Sequence, residues 1–179
     1  MVYIFLADGF EEIEALAPLD ILKRSGIEVL TVGVTGKTVS GAHGVKVQAD
    51  ILPGEVDLTK LRGAVLPGGM PGADNLAASK EVADILEFAY KNDLLIGAIC
   101  AAPYILGERG YLKGRKATCY TGYEAKLIGA KCTGKPVVCD GNIITARGAG
   151  VALSFGFEIA AALKGKDTAK KVKMSMLCE

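Results

Sequence analysis

Short apolar runs that end in glycine recur along this chain, and a helical stretch follows most of them. "VYIFLADGF" stops at Asp-Gly, "LRGAVLPGG" stops at Pro-Gly-Gly, and in "LLIGAICAAPYIL" a run from Leu94 to Ile99 gives way to small residues. Runs of that length bounded by turn residues read as buried strands. The first is followed by "EEIEALAPLDILKRSG", acidic at its start, basic at Lys23 and Arg24 and stopped by Gly26, the polarity a helix macrodipole favours. "SKEVADILEFAYKND" places Val82, Ile85, Leu86 and Ala89 on one helical face. A helix from Ala101 to Gly107 and the long apolar "VALSFGFEIAAALKG", closed by Gly165, repeat the pattern. Strands alternating with helices predict an α/β fold in which a mostly parallel sheet is covered on both faces.

"IEVLTVGV", "RKATCY", "KPVVCDG" and "NIITARG" are further strand candidates. The glycine-dotted "GKTVSGAHGVKVQAD" reads as one or two short strands or an exposed hairpin arm, and "KDTAKKVKMSMLCE" as a final helix with a solvated lysine face. No linker or repeat divides the 179 residues, so one domain over 1–179 is expected. Lys and Arg total 21 against 20 Asp and Glu, a balance that suggests neither a nucleic-acid nor an anionic-membrane partner. The longest apolar run is broken by Gly97 and Pro103 and is too short for a bilayer, and the N-terminus lacks a basic targeting region. Five cysteines with no C-x-x-C pair, beside the single histidine His43, argue against a disulfide framework and a zinc site. A reducing cytoplasm is the expected location, with no metal or cofactor.

In an open α/β sheet, ligands bind beyond the carboxyl ends of the strands, where loops lead into helices. Three such loops stand out. Cys100 sits in the frame Ala98-Ile99-Cys100-Ala101-Ala102, small at both flanks as a strained nucleophile elbow requires. A thiol at a helix N-terminus is expected to have a lowered pKa. Free cysteine is also among the most buried residue types, so this frame alone leaves a structural thiol open. Gly68 and Gly69 in "LPGGMPGADN" let backbone N–H groups converge on an anion, yet no Gly-Lys-Ser/Thr follows to make a P-loop. In the first helix, Glu11 and Glu12 read as dipole complements. Glu14 differs, because Ala17, Pro18 and Ile21 share its face, and Pro18 predicts a local kink. A carboxyl in such a setting tends toward a raised pKa and can stay protonated. "ARGAGVALSF" is a fourth glycine-rich loop, read as a pocket wall because the G-x-G-x-x-G spacing fails at Leu153.

Together, "DGFEEIEALAPLDILKRSG", "LPGGMPGADNL", "IGAICAAPYIL" and "ITARGAG" resemble the ThiJ/PfpI superfamily, in the branch of the Parkinson's-disease-associated protein deglycase and its bacterial relatives. The match runs in order over nearly the whole chain. The resemblance implies a flavodoxin-like three-layer α/β/α sandwich, a homodimer, and a reactive cysteine hydrogen-bonded to a protonated glutamate. By position, Cys100 would be the nucleophile and oxidation-sensitive thiol and Glu14 its partner acid. Gly69 and Ala101 would supply oxyanion N–H groups, and Gly68 would shape the turn. The implied activity is glutathione-independent conversion of a small reactive carbonyl, such as methylglyoxal, or repair of a glycated protein. Two departures stand out. Where animal relatives carry a histidine near the cysteine, "KATCYTG" has Cys119 and Tyr120, and His43 falls where relatives carry an arginine that reaches the site. Ala101 stands where the peptidase branch has a histidine, which disfavours a cysteine peptidase. The competing readings are an oxidative-stress sensor or redox-regulated chaperone using the same Cys100, and a nucleotide-binding module that lacks the phosphate fingerprint after the first strand.

Overall fold

The computed structural model describes residues 1–178. Its strands are β1 (Val2–Leu6), β2 (Val29–Gly33), β3 (Thr38–Ser40), β4 (Lys46–Gln48), β5 (Gly63–Leu66), β6 (Leu95–Ile99), β7 (Lys116–Ala117), β8 (Lys131–Cys132), β9 (Val137–Asp140) and β10 (Ile143–Ala146). The helices are α1 (Glu12–Arg24), α2 (Gly72–Ala78), α3 (Lys80–Lys91), α4 (Pro103–Glu108), α5 (Ala152–Lys164) and α6 (Lys166–Ser175). A central sheet has the order β2-β1-β5-β6-β10-β9, parallel except for β9, which pairs antiparallel with β10 at one edge. This is the expected flavodoxin-like three-layer α/β/α sandwich.

Alternation along β1 shows how the layers form. Tyr3 and Phe5 point into a core with Leu76 of α2, Leu86 of α3 and Leu106 of α4. Val2, Ile4 and Leu6 point the other way, toward Ile21 and Leu22 of α1 and Phe155 and Ile159 of α5. Successive strand side chains alternate between faces, so a strand apolar at every position must be covered on both. Glycine at 156 lets α1 and α5 pack closely beside Pro18 and Ile21, and α1 runs on through Pro18 as one helix.

Three local expectations are corrected. The helix expected at Ala101 begins at Pro103, because Cys100 has a left-handed backbone that no helix continues, while proline fits a first helical turn. The glycine-rich "LPGGMPGADN" is not all loop, since its second half forms α2. "RKATCY" contributes only Lys116–Ala117 as strand, and this pairs with β8 outside the central sheet. Beyond it, Thr118 N donates to Thr145 Oγ1 and Tyr120 N donates to the Cys100 carbonyl, so the backbone leaves the strand path. The glycine-dotted arm is the antiparallel hairpin β3–β4.

A Cβ at position 156 would lie 2.8 Å from Ile21 Cδ1 and 3.1 Å from Pro18 Cα. Gly156→Val is therefore expected to destabilise the fold by roughly 1–3 kcal/mol through overpacking. Urea unfolding followed by circular dichroism measures this; an unchanged midpoint would contradict the close α1–α5 packing.

Candidate active site

The sheet order reverses between β1 and β5, since the chain leaves β1 for β2 on one side and later returns to β5 on the other. The crevice at such a switch point is where open α/β sheets bind ligands. The loops after β1, β5 and β6 meet there. Glu11 N donates to the Gly68 carbonyl at 2.9 Å, and Gly68 N donates back to Glu14 Oε2 at 2.9 Å. Glu11 also caps α1, its Oε2 accepting from Glu14 N at 2.7 Å. The first turn of the helix is thus fixed before the Glu14 side chain is considered.

Cys100 follows β6 with φ of 63°, a left-handed conformation that costs a non-glycine residue roughly 1–3 kcal/mol. Two backbone bonds hold it: Cys100 N donates to Ala146 O at 2.9 Å, and Tyr120 N donates to Cys100 O at 2.8 Å. The Glu14 carboxyl is in hydrogen-bonding contact with the thiol, and the N–H groups of Gly69 and Ala101 are directed at the sulfur. Glycine at 68 makes this possible, because a Cβ there would lie 2.7 Å from both Cys100 Cβ and Glu14 Oε2. Five residues singled out in the sequence, Glu14, Gly68, Gly69, Cys100 and Ala101, are thereby brought together.

Glu14 is 1% exposed, and burial lifts its carboxyl to about 7, against the pull of hydrogen bonds from Cys100 and Gly68. The thiol departs from expectation. Burial first, then the Glu14 charge and hydrogen bond, push Cys100 up to about 12, outweighing the N–H groups of Ala101 and Gly69. The physical reason is first that the thiol is taken out of water and then that an ionised carboxylate lies near the sulfur, while α4 starts three residues beyond Cys100, too far for its end to dominate. After burial, the rest of the thiol's rise belongs to the ionised state of Glu14. Two groups this closely coupled titrate as a pair.

His43 is placed elsewhere. Its Nδ1 pairs with Glu12 Oε2 at 2.7 Å and its backbone N donates to Glu12 Oε1 at 2.8 Å, so its bonds run to Glu12 and not to Cys100. Burial pushes Glu12 up, but the bonds from His43 hold it below its ordinary value. Glu12 is accordingly a tether between α1 and the β3–β4 arm, not the solvated dipole complement its position suggested. Sequence reasoning also passed over Glu11 as a cap, because Ser, Thr, Asp and Asn are the usual signals there. It missed Ala149, whose backbone bonds the Glu14 carboxyl from the "ARGAG" loop. A cleft of about 430 Å³, lined by Tyr120, Pro136, Arg147 and Ala149 among others, opens beside these groups. It has room for a small molecule, and Tyr120, whose backbone N donates to Cys100 O, forms part of its wall.

Fold and site together define an α/β sandwich with a cysteine on a strained elbow and a buried carboxyl against it. A DJ-1/PfpI family model matches residues 1–162, and the chain belongs to that family. It is 36% identical to protein dj-1beta of Drosophila melanogaster over 177 residues, covering 97% of this chain and 95% of that one. The crystal structure of that fly protein superposes with a TM-score of 0.93, covering 99% of this chain and 97% of the other at 35% identity. A glutathione-independent glyoxalase of Caenorhabditis elegans is 33% identical over 159 residues (88% and 84% covered), and a deglycase of Pyrococcus abyssi is 32% identical over 148 (82% and 89%).

The raised carboxyl carries a stability signature. From pH 4.5 to about 7 the unfolded chain has released the Glu14 proton while the folded protein retains it. Stability is thus fully present below the unfolded value and falls by about 3 kcal/mol as pH rises through that window. Urea unfolding from pH 4 to 8 should show this slope in the wild type and a flatter one in Glu14→Gln; equal slopes would remove Glu14 as its source.

Proposed function

We propose that this protein is a cysteine-dependent enzyme of one domain that acts on small reactive carbonyls, of the glutathione-independent glyoxalase or deglycase kind. The observation that carries the reading is the Glu14 carboxyl, lifted to about 7, held against Cys100 on the elbow. A glyoxalase and a deglycase among its relatives support the substrate class.

With both groups protonated, no nucleophile exists. Loss of one proton leaves a pair that can hold the charge on either atom. When the proton sits on Glu14, the carboxylate's repulsion is gone, its O–H donates to sulfur, and the N–H groups of Gly69 and Ala101 stabilise the thiolate. That thiolate adds to the aldehyde carbon to form a hemithioacetal, and the carbonyl oxygen takes up a proton from Glu14. Glu14, now ionised, removes the hydrogen from that carbon and returns it to the adjacent one, while the proton on the former aldehyde oxygen passes to the neighbouring oxygen, converting the adduct to a thioester of the hydroxy acid. Water then cleaves the thioester, releasing the hydroxy acid and restoring Cys100. The sum is dicarbonyl plus water to hydroxy acid, with no external oxidant or reductant.

The reading includes a homodimer, consistent with exposed Ile13 on α1 and Leu153 on the adjoining α5, and a cytoplasmic location, consistent with five free cysteines. No described helix is long and apolar enough to cross a membrane.

Hydroxy acid should form from methylglyoxal without glutathione, and Cys100→Ala should abolish it. Glu14→Gln should lower kcat/KM by roughly 10²–10⁴-fold. In the wild type kcat/KM should rise with pH through an inflection near 7, where the pair loses its first proton. Undiminished turnover in Cys100→Ala, or a pH profile unaffected by Glu14→Gln, would refute this mechanism.

A further inference from the structure

Three of the five cysteines converge on one side of the candidate site. Tyr120 N donates to the carbonyl of Cys100 at 2.8 Å, which sets Cys119, the preceding residue, beside the elbow. On its other side, β7 and β8 run parallel with Ala117 in register with Cys132, and Thr133 N donates to Ala117 O at 2.9 Å. Residues two apart on an extended chain share a face, so Cys119 follows Ala117 on the side that Cys132 also occupies. The titration of Cys119 reflects the same neighbourhood: burial first, then Cys132, Glu124 and Cys100, push it up to about 12. Accessibility is graded along the row, with Cys119 buried, Cys100 half-buried and Cys132 exposed. The carbonyl mechanism uses neither Cys119 nor Cys132.

We propose that Cys119 and Cys132 form a resolving dithiol that takes oxidation off Cys100, giving the protein a hydroperoxide-reducing cycle beyond its carbonyl chemistry. The thiolate of Cys100 attacks the outer oxygen of a hydroperoxide and breaks the O–O bond. The alkoxide leaves with the proton of Glu14 as an alcohol, and Cys100 becomes a sulfenic acid. Cys119, as its thiolate, attacks that sulfur; hydroxide departs and is protonated to water, leaving a Cys100–Cys119 disulfide. Cys132 then attacks the Cys119 sulfur and Cys100 leaves as a thiolate. Glu14 has by then regained a proton from solvent, and its hydroxyl, with the N–H groups of Gly69 and Ala101, receives the departing Cys100 thiolate as in the carbonyl mechanism. The balance is one hydroperoxide and two thiols to one alcohol, one water and the Cys119–Cys132 disulfide. An external dithiol reductant meets that disulfide at exposed Cys132 and closes the cycle. Cys100 is thereby kept from its sulfinic acid, which thiols do not reverse.

The test is one equivalent of cumene hydroperoxide added to reduced protein, followed by alkylation and peptide mass mapping without reduction. In the wild type, Cys119 and Cys132 should lose their alkylation together and appear as one cross-linked peptide pair, with Cys100 still alkylated. Cys132→Ser should stop at the Cys100–Cys119 disulfide, and Cys119→Ala should carry Cys100 to the sulfinate when a second equivalent is added. Because Cys132 is exposed, its replacement by serine should leave folding and methylglyoxal turnover unchanged, which keeps the two activities separable. Cys119 and Cys132 remaining alkylatable, or Cys100 reaching the sulfinate equally fast in all three proteins, would overturn the relay while leaving the carbonyl reading intact. Disulfide formation without methylglyoxal turnover would instead uphold the relay and remove the carbonyl reading.

Discussion

A carboxyl with 1% of its surface exposed has to find another way to exist than as a solvated anion, and Glu14 finds it against the thiol of Cys100. The pair sits where loops from three strands meet, and much of the local architecture serves to let them touch. Glycine at 68 removes the Cβ that would stand between them. Glu11 bonds Glu14 N with its side chain and Gly68 O with its backbone, so α1 and the loop after β5 are tied before either reacting atom is placed. On the far side of α1, Gly156 lets α5 press close to Pro18 and Ile21 and holds the helix down on the sheet. A small glycine at each of two contacts sets the position of one carboxyl.

Electrostatics at this pair run both ways. A charge on Glu14 raises the thiol, while N–H groups from Gly69 and Ala101 lower it. Neither residue has a protonation state of its own apart from the other, because moving one proton between them exchanges which group carries the charge and which donates to it. The single histidine takes no part in this pair, being bonded to Glu12 from the arm. Cys119, which precedes the Tyr120 that bonds back to the elbow, is the thiol on which the proposed sulfur relay rests.

The layered fold was legible in the sequence because burial on both faces leaves a mark on every residue. Val2 to Leu6 are apolar without exception, and the helix faces of α3 repeat at helical spacing. Cys100, Glu14 and the glycine pair were legible for a similar reason, since an elbow demands small flanks and a carboxyl among apolar neighbours is conspicuous. The partnership of His43 with Glu12 was not, because the arm and α1 are brought together by the Phe10 to Gly41 bridge, a long-range contact with no local pattern. The short β7–β8 pair escaped for the same reason: two-residue strands have too little length to show a period.

By itself, then, the sequence determined the alternation of strands and helices, the two-sided sheet and the identity of the residues able to do chemistry, all of which depend on neighbours a few positions away. The tertiary structure decided how those residues act on one another. The thiol's rise in place of the expected fall follows first from its burial and then from an ionised Glu14 on α1, 86 positions away in the chain, against a helix end too distant to compensate. The row of Cys100, Cys119 and Cys132 likewise exists only because Tyr120 bonds back to the elbow and β8 pairs with β7. Proton sharing and sulfur exchange depend on separations of a few ångströms, and only folding brings such distances between residues so far apart in the chain.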